Sequence, residues 1–425
     1  MNPLRKLLDS IEPKVRNNKF AHTVYDGLET FLFQPNTTTS VGTHIKDGMD
    51  LKRTMVHVVI ALQLCYVLGT YNIGHQHYLA LGMYSGLFEG FFLKLMYGLL
   101  QLLPIFVVVH LVGLGIEFFF AARKGHSIEE GFLVSGALIP LIMPPDIPLW
   151  MVGMATGFAV LIAKEAFGGT GMNILNIALV SRVFVFFAYP GEISGDICWV
   201  SYDYNIFHQI FGIEAHTLAF HGWDKLPAKV NEIMVDGFSG ATPLALAASG
   251  GWEAVQSATL PNGDQQYSIA NLLFGILPGS IGETSKVFVI AGAGLMIAAG
   301  IASWRIMLSF VLGAAFAGIL MNVLHVTAFP DSAFIGVPWY HQFLIGSLLF
   351  AMAFMATDPV TAASTNQGKL IYGFMIGVLG MIIRVLNPAY PEGWMLAILF
   401  MNIFAPLIDY YVLKSNINRR LSRVA

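Results

Sequence analysis

Charge is scarce in this chain: only 12% of its 425 residues are Asp, Glu, Lys or Arg, about half the ~25% that soluble domains carry. Apolar residues make up 56% and the mean hydropathy is +0.65. These values exclude a water-facing enzyme, a nucleic-acid binder and a disordered scaffold. Cysteine is nearly absent. Cys65 lies in an apolar run and Cys198 in a polar one, so there is neither a disulfide framework nor a metal-ligand spacing. The first 50 residues hold no apolar core of signal-peptide type, so no cleavage for export is expected. No Gly-rich dinucleotide fingerprint occurs in a polar segment, so a dinucleotide-binding domain is not expected. A polytopic membrane protein remains.

A spanning helix needs about 20 apolar residues. Such runs fall near 54–72, 93–121, 130–145, 148–164 and 173–189, then near 287–304, 306–328, 341–357, 370–387 and 394–413. The expected fold is therefore all-α, with ten transmembrane helices in two sets of five. Lysine and arginine set orientation. They crowd residues 1–53, recur at Arg123, Lys124, Lys164, Arg305 and Lys369, and close the chain at Lys414, Arg419, Arg420 and Arg423. Both termini are thus expected in the cytoplasm. The chain divides into a basic extension (1–53), a first membrane half (54–189), an extracytoplasmic segment (190–286), a second half (287–413) and a basic tail (414–425). The segment 190–286 carries ten acidic residues against three basic ones, and its length marks a functional connection.

Five helices entering from inside and five from outside form an inverted repeat. The third run of each half supports this: one ends Met143-Pro144-Pro145-Asp146, the other Met355-Ala356-Thr357-Asp358-Pro359. Interrupted helices at matching places point to a site near the midplane. The plain alternative is a pair of ordinary helix stops.

Three constellations carry candidate chemistry. In Asp236-Gly237-Phe238-Ser239-Gly240-Ala241-Thr242-Pro243, small neighbours leave the Thr242 hydroxyl open, and Pro243 stops a helix from running through. An unactivated threonine is a poor nucleophile, so Thr242 reads as a site modified by another enzyme, or as an ordinary turn. In Phe167-Gly168-Gly169-Thr170-Gly171-Met172-Asn173-Ile174-Leu175-Asn176, the glycines free backbone amides, and Asn173 and Asn176 share a face if a helix has begun. Paired carboxamides suit the imide edge of a flavin or quinone; the alternative is a tight turn with an Asn cap. Intramembrane ionisable groups form the third set. Arg182 lies some nine residues into the fifth run and should face protein. Asp358, among threonines, offers oxygens to a hard cation. Phe350 and Phe354 could gate a path to it or simply pack, and Asp409 serves a cation or snorkels.

These segments resemble the B subunits of the bacterial sodium-translocating NADH:quinone oxidoreductases. The resemblance spans nearly the whole chain and rests on Phe-Gly-Gly-Thr-Gly at 167–171, Phe-Phe-Ala-Tyr-Pro at 186–190, Asp-Gly-Phe-Ser-Gly-Ala-Thr at 236–242 and Ala-Thr-Asp-Pro-Val at 356–360. It implies FMN joined to Thr242 by a phosphoester, with Asp236, Ser239, Gly240 and Ala241 as the attachment motif and a flavin transferase as maturation partner. It also implies riboflavin among the helices, for which Gly168, Gly169, Thr170, Asn173, Asn176 and Arg182 are the candidate surroundings. Electrons would pass from NADH, oxidised on another flavoprotein or iron–sulfur subunit, through an FMN-bearing neighbour and these flavins to ubiquinone, coupled to Na+ export across the bacterial inner membrane. Asp358 and Asp409 match acidic positions tied to sodium movement. One departure is Ile177, where the family usually has proline after the second Asn. Two alternatives stay open. One is the D subunit of the Rnf complex, which generally lacks a basic extension like 1–50. The other is a non-redox channel or transporter for a small solute.

Overall fold

The computed structural model describes residues 3–15, 18–33, 39–43, 45, 51–82, 84–124, 131–193, 198–201, 240–260, 263–387 and 393–423. Helices α1 (Pro3–Val15) and α2 (Lys19–Leu32) precede the first half, which contains α3 (Leu51–Ala80), α4 (Phe91–Lys124), α5 (Phe132–Ile142), α6 (Leu149–Ala159) and α7 (Ile177–Ala188). Helices α8 (Pro243–Ser257) and α9 (Ile269–Phe274) lie between the halves. The second half contains α10 (Lys286–Ala298), α11 (Trp304–Thr327), a turn of helix at Leu348–Phe350 continued by a π-turn at Ala351–Met355, α12 (Asn366–Leu386) and α13 (Trp394–Leu421). No strand occurs among the described residues.

Among the described residues, six helices are long and apolar enough to cross a membrane: α3, α4, α6 with its extension to Phe167, α11, α12 and α13. The other four apolar runs are shorter than expected. Helix α10, with 13 residues, reaches only about 20 Å at 1.5 Å per residue, against a hydrocarbon core of about 30 Å. The cause is local. Met143 caps α5 just before Pro144 and Pro145, Asn176 starts α7 late, and Asp358-Pro359 follows the π-turn.

The two halves share several pairings, although α3 packs on α4 in the first and α10 has no matching contact with α11 in the second. In the first, α3 and α4 pack on α5, α4 on α6, and both α5 and α6 on α7. In the second, α10 and α11 pack on the Leu348–Met355 segment, α11 on α12, and both that segment and α12 on α13. The halves meet through α3 against α10 and α7 against α13. One apolar core runs through both, from Ala61 to Ala405. A smaller core joins α8 and α9 to Phe334, Val337 and Ile345.

Lipid is as apolar as leucine, so close packing rather than water exclusion holds such helices together. The α11–α12 pair shows how. Its buried faces present Gly313 on one side and Gly373 and Gly377 on the other. A Cβ at Gly377 would run into the Phe310 carbonyl, and one at Gly313 into that of Phe374. Large apolar side chains such as Leu111 and Phe92 face outward instead.

Gly377→Leu should therefore destabilise the chain by about 1–3 kcal/mol through overpacking. Gly294→Leu, on an α10 face with nothing within 4 Å, should leave the melting temperature in detergent within a degree or so of wild type.

Candidate functional site

The glycine loop after α6 closes through backbone geometry that L side chains rarely adopt. Gly168, Gly169 and Gly171 have φ of +121°, +111° and +82°, open to glycine without steric cost. A π-turn at Val160–Lys164 and a 3-10 turn at Glu165–Phe167 lead into it, and Gly169 N–H donates to the Lys164 carbonyl at 3.1 Å. Beyond it, Asn176 is the N-cap of α7: its Oδ1 accepts from Leu179 N–H at 3.2 Å. Asn173 thus precedes the helix, and the shared-face argument from helical spacing does not apply. Ile177 occupies the first helical position, where proline is favoured but not required.

Asn173 and Asn176 nevertheless line one cavity, partly open to solvent, together with Thr170, Lys164, Phe354 and Asp358. Two constellations that lie far apart in the sequence are one place. Asn176 Nδ2 donates to Asp358 Oδ2 at 3.3 Å, and Asp358 also accepts from Val360 N–H and Thr361 Oγ1, each at 3.1 Å. Both ends of the Asn176 carboxamide are therefore engaged. Asn173 donates to the Leu175 carbonyl, and the Thr170 hydroxyl is buried without a partner. Lys164, 2% exposed, pairs with Glu117 of α4. Sequence reasoning missed this buried pair, although Glu117 in an apolar run was its signal.

Phe350 and Phe354 stand with ring centroids 5.0 Å apart. Phe354 lines the cavity and reaches Gly292 of α10, while Phe350 is buried behind it. Asp409 lies outside the cavity lining. It accepts from Ser364 N–H at 2.6 Å, Thr365 N–H at 3.0 Å and Thr365 Oγ1 at 2.5 Å, fastening the start of α12. Arg182 is also outside. It sits in the second turn of α7, buried, with its guanidinium 5.3 Å from the centroid of Trp199.

Trp199 lines a second cleft, of about 380 Å³, with Thr242, Ser280, Thr284 and Lys286. Thr242 is the N-cap of α8, its hydroxyl accepting from Ala245 N–H at 3.2 Å. Pro243 therefore begins a helix, the position its fixed φ favours. Gly240 and Ala241 are buried, and the Tyr267 hydroxyl donates to the Ala241 carbonyl. Asp236 and Ser239 lie outside the described residues.

Residues 38–418 match the model of the NQR2, RnfD, RnfE family. The chain belongs to that family. The B subunit of the Na(+)-translocating NADH-quinone reductase of Chromohalobacter salexigens is 38% identical over 99% of this chain and 97% of its own length. Relatives of the same name in Pseudomonas paraeruginosa and Klebsiella pneumoniae are 38% and 37% identical, each over 99% of both chains.

Asn176→Leu removes a cap worth ~1 kcal/mol and leaves Asp358 short of a donor, for about 2–3 kcal/mol in all. Asn176→Asp keeps the cap but sets a second carboxylate against Asp358. Melting temperatures in detergent should fall clearly for both variants, whereas Asn173→Leu should fall less.

Proposed function

We propose that the chain is the flavin-carrying membrane subunit of a bacterial sodium-translocating NADH:quinone reductase, an oxidoreductase complex of several subunits. The full-length match to relatives bearing that name carries the reading. Because it covers 99% of the chain, it takes in the basic extension, which favours this assignment over the Rnf D subunit. The pairings shared by the two halves support ten crossings as a five-plus-five inverted repeat in the inner membrane. On that topology both termini are cytoplasmic and the Thr242 segment is extracytoplasmic.

Both sites fit a flavin. Thr242, half-buried, lines a cleft shared with the Lys286 cation and Trp199, surroundings suited to a phosphoester of FMN. The first cavity offers the Asn173 carboxamide and the unpartnered Thr170 hydroxyl, donors and acceptors for a riboflavin edge. When bound, flavins at these places supply stepwise electron carriage from an NADH-oxidising neighbour to ubiquinone. This chain's own residues do the rest. Asp358 holds its carboxylate on three donors with lone pairs to spare for Na+, and Phe354, backed by Phe350, narrows the way past it. Arg182 ties α7 to Trp199, so one helix runs from the cavity rim to the Thr242 cleft. Asp409 serves the sodium path by keeping the loop after Asp358 in place.

Co-expression with a flavin transferase tests the covalent site. The denatured wild-type band should fluoresce under ultraviolet light and Thr242→Val should be dark; a dark wild type overturns the redox reading in favour of a solute transporter. For the cation, Asp358→Ala should reduce sodium-stimulated quinone reduction by the assembled complex about tenfold or more, ~1.4 kcal/mol at the barrier, with flavin content unchanged. Unaltered sodium dependence removes Asp358 from the path.

A further inference from the structure

The Thr242 cleft contains a cation without an obvious counter-ion. Lys286 is 2% exposed, and its ammonium donates to three main-chain carbonyls: Glu283 at 3.2 Å, Thr284 at 3.1 Å and Gly346 at 3.0 Å. Its hydrogen bonds are thus met by neutral groups. No ion pair to a carboxylate is formed by Lys286 among the described residues. A second cation stands close by. Arg384 donates to the Gln342 and Ile345 carbonyls at 3.0 and 3.2 Å, and a Cβ on Gly346 would lie 2.6 Å from its Nη2. Gly346 lines the same cleft. Glu283 lines it too. A buried ammonium hydrogen-bonded only to neutral groups is costly, and an anion in the cleft would offset that cost.

Ser280 supplies an independent observation. It is 4% exposed, lines the cleft, and its hydroxyl is buried with no hydrogen-bond partner. Buried hydroxyls are almost always paired, so an orphan facing a cleft marks a missing ligand atom. A hydroxyl with a free donor, lining the same cleft as a buried ammonium, suits a phosphoryl group: the hydroxyl donates to it and the ammonium's charge neutralises it.

The geometry points to Ser280 and Lys286, with Arg384 behind Gly346, as a phosphoryl-binding floor for the Thr242 cleft. Its occupant is a phosphoryl group, either esterified to Thr242 or arriving as free phosphate or a lipid headgroup. The first source rests on the covalent-flavin reading above. In that case Lys286 is a positioning residue that draws the phosphoryl group to the Thr242 hydroxyl and neutralises it once attached.

The test uses the full chain, purified in detergent after expression with and without flavin transferase. Melting is read in inorganic phosphate and in chloride at equal ionic strength, and flavin attachment is followed by gel fluorescence. Unmodified wild type should melt about 2 °C or more higher in saturating phosphate. Lys286→Met and Ser280→Ala should lose that gain, and Lys286→Arg should keep it. Attachment to Lys286→Met should be about tenfold slower, the loss of the neutralising charge beside the phosphoryl group, and Lys286→Arg should restore it. If the flavin-bearing protein no longer responds to phosphate, the ester is the occupant; a response that persists assigns the floor to a free or lipid phosphate. Should Lys286→Met fail to fold, Ser280→Ala carries the same comparison. Equal attachment rates with no phosphate effect in unmodified wild type overturn the proposal. A wild type that takes up no flavin refutes only the covalent reading, and its phosphate response still decides the floor.

Discussion

The hydrogen bond from Asn176 to Asp358 is the contact on which the rest of the structure depends. Each residue sits where a helix is interrupted, one in each half of the chain. Backbone that is not helical within a membrane survives only where protein supplies partners. Asn176 meets that demand twice, capping α7 with its oxygen and holding Asp358 with its nitrogen. Asp358 in turn gathers Val360 and Thr361. Asp409 does the same work a few residues further on, at the start of α12. Carboxylates here keep broken helices in order, and the lone pairs left over are what a sodium ion can use.

The helix that begins at this contact also connects the two candidate sites. Arg182 lies six residues beyond Asn176, about 9 Å along α7, and stacks on Trp199, which lines the Thr242 cleft. The cavity and the cleft are therefore joined by one helix and one ring.

Much of this was legible in the chain, and the exceptions have physical causes. Hydropathy located the six helices that, among the described residues, are long and apolar enough to span, because leucine-rich faces toward lipid tolerate no charge. It overestimated the length of the other four runs, since prolines and cap residues such as Asn176 end helices inside runs that hydropathy scores as continuous. Thr242, Asn173 and Asp358 stood out by composition alone. Their grouping did not, because Asn176 and Asp358 are brought together only by the packing of α7, α13 and the Leu348–Met355 segment. Asp409 and Arg182 were singled out for their charge, but charge does not reveal that one fastens a loop and the other stacks on an indole. Lys164 counts in the sequence only as one of the basic residues that set orientation; its burial against Glu117, like that of Lys286 against three carbonyls, is a property of tertiary structure.

The central claim is that the carboxylate which joins the halves is also the ion's binding group. Its most direct test is the melting temperature of the purified chain in NaCl against KCl at equal ionic strength, for wild type and Asp358→Asn. Asp358→Asn keeps the shape and removes the charge. The account predicts a sodium-specific rise in wild type that vanishes in the variant. A rise of equal size in both salts, or one that survives in Asp358→Asn, would contradict it.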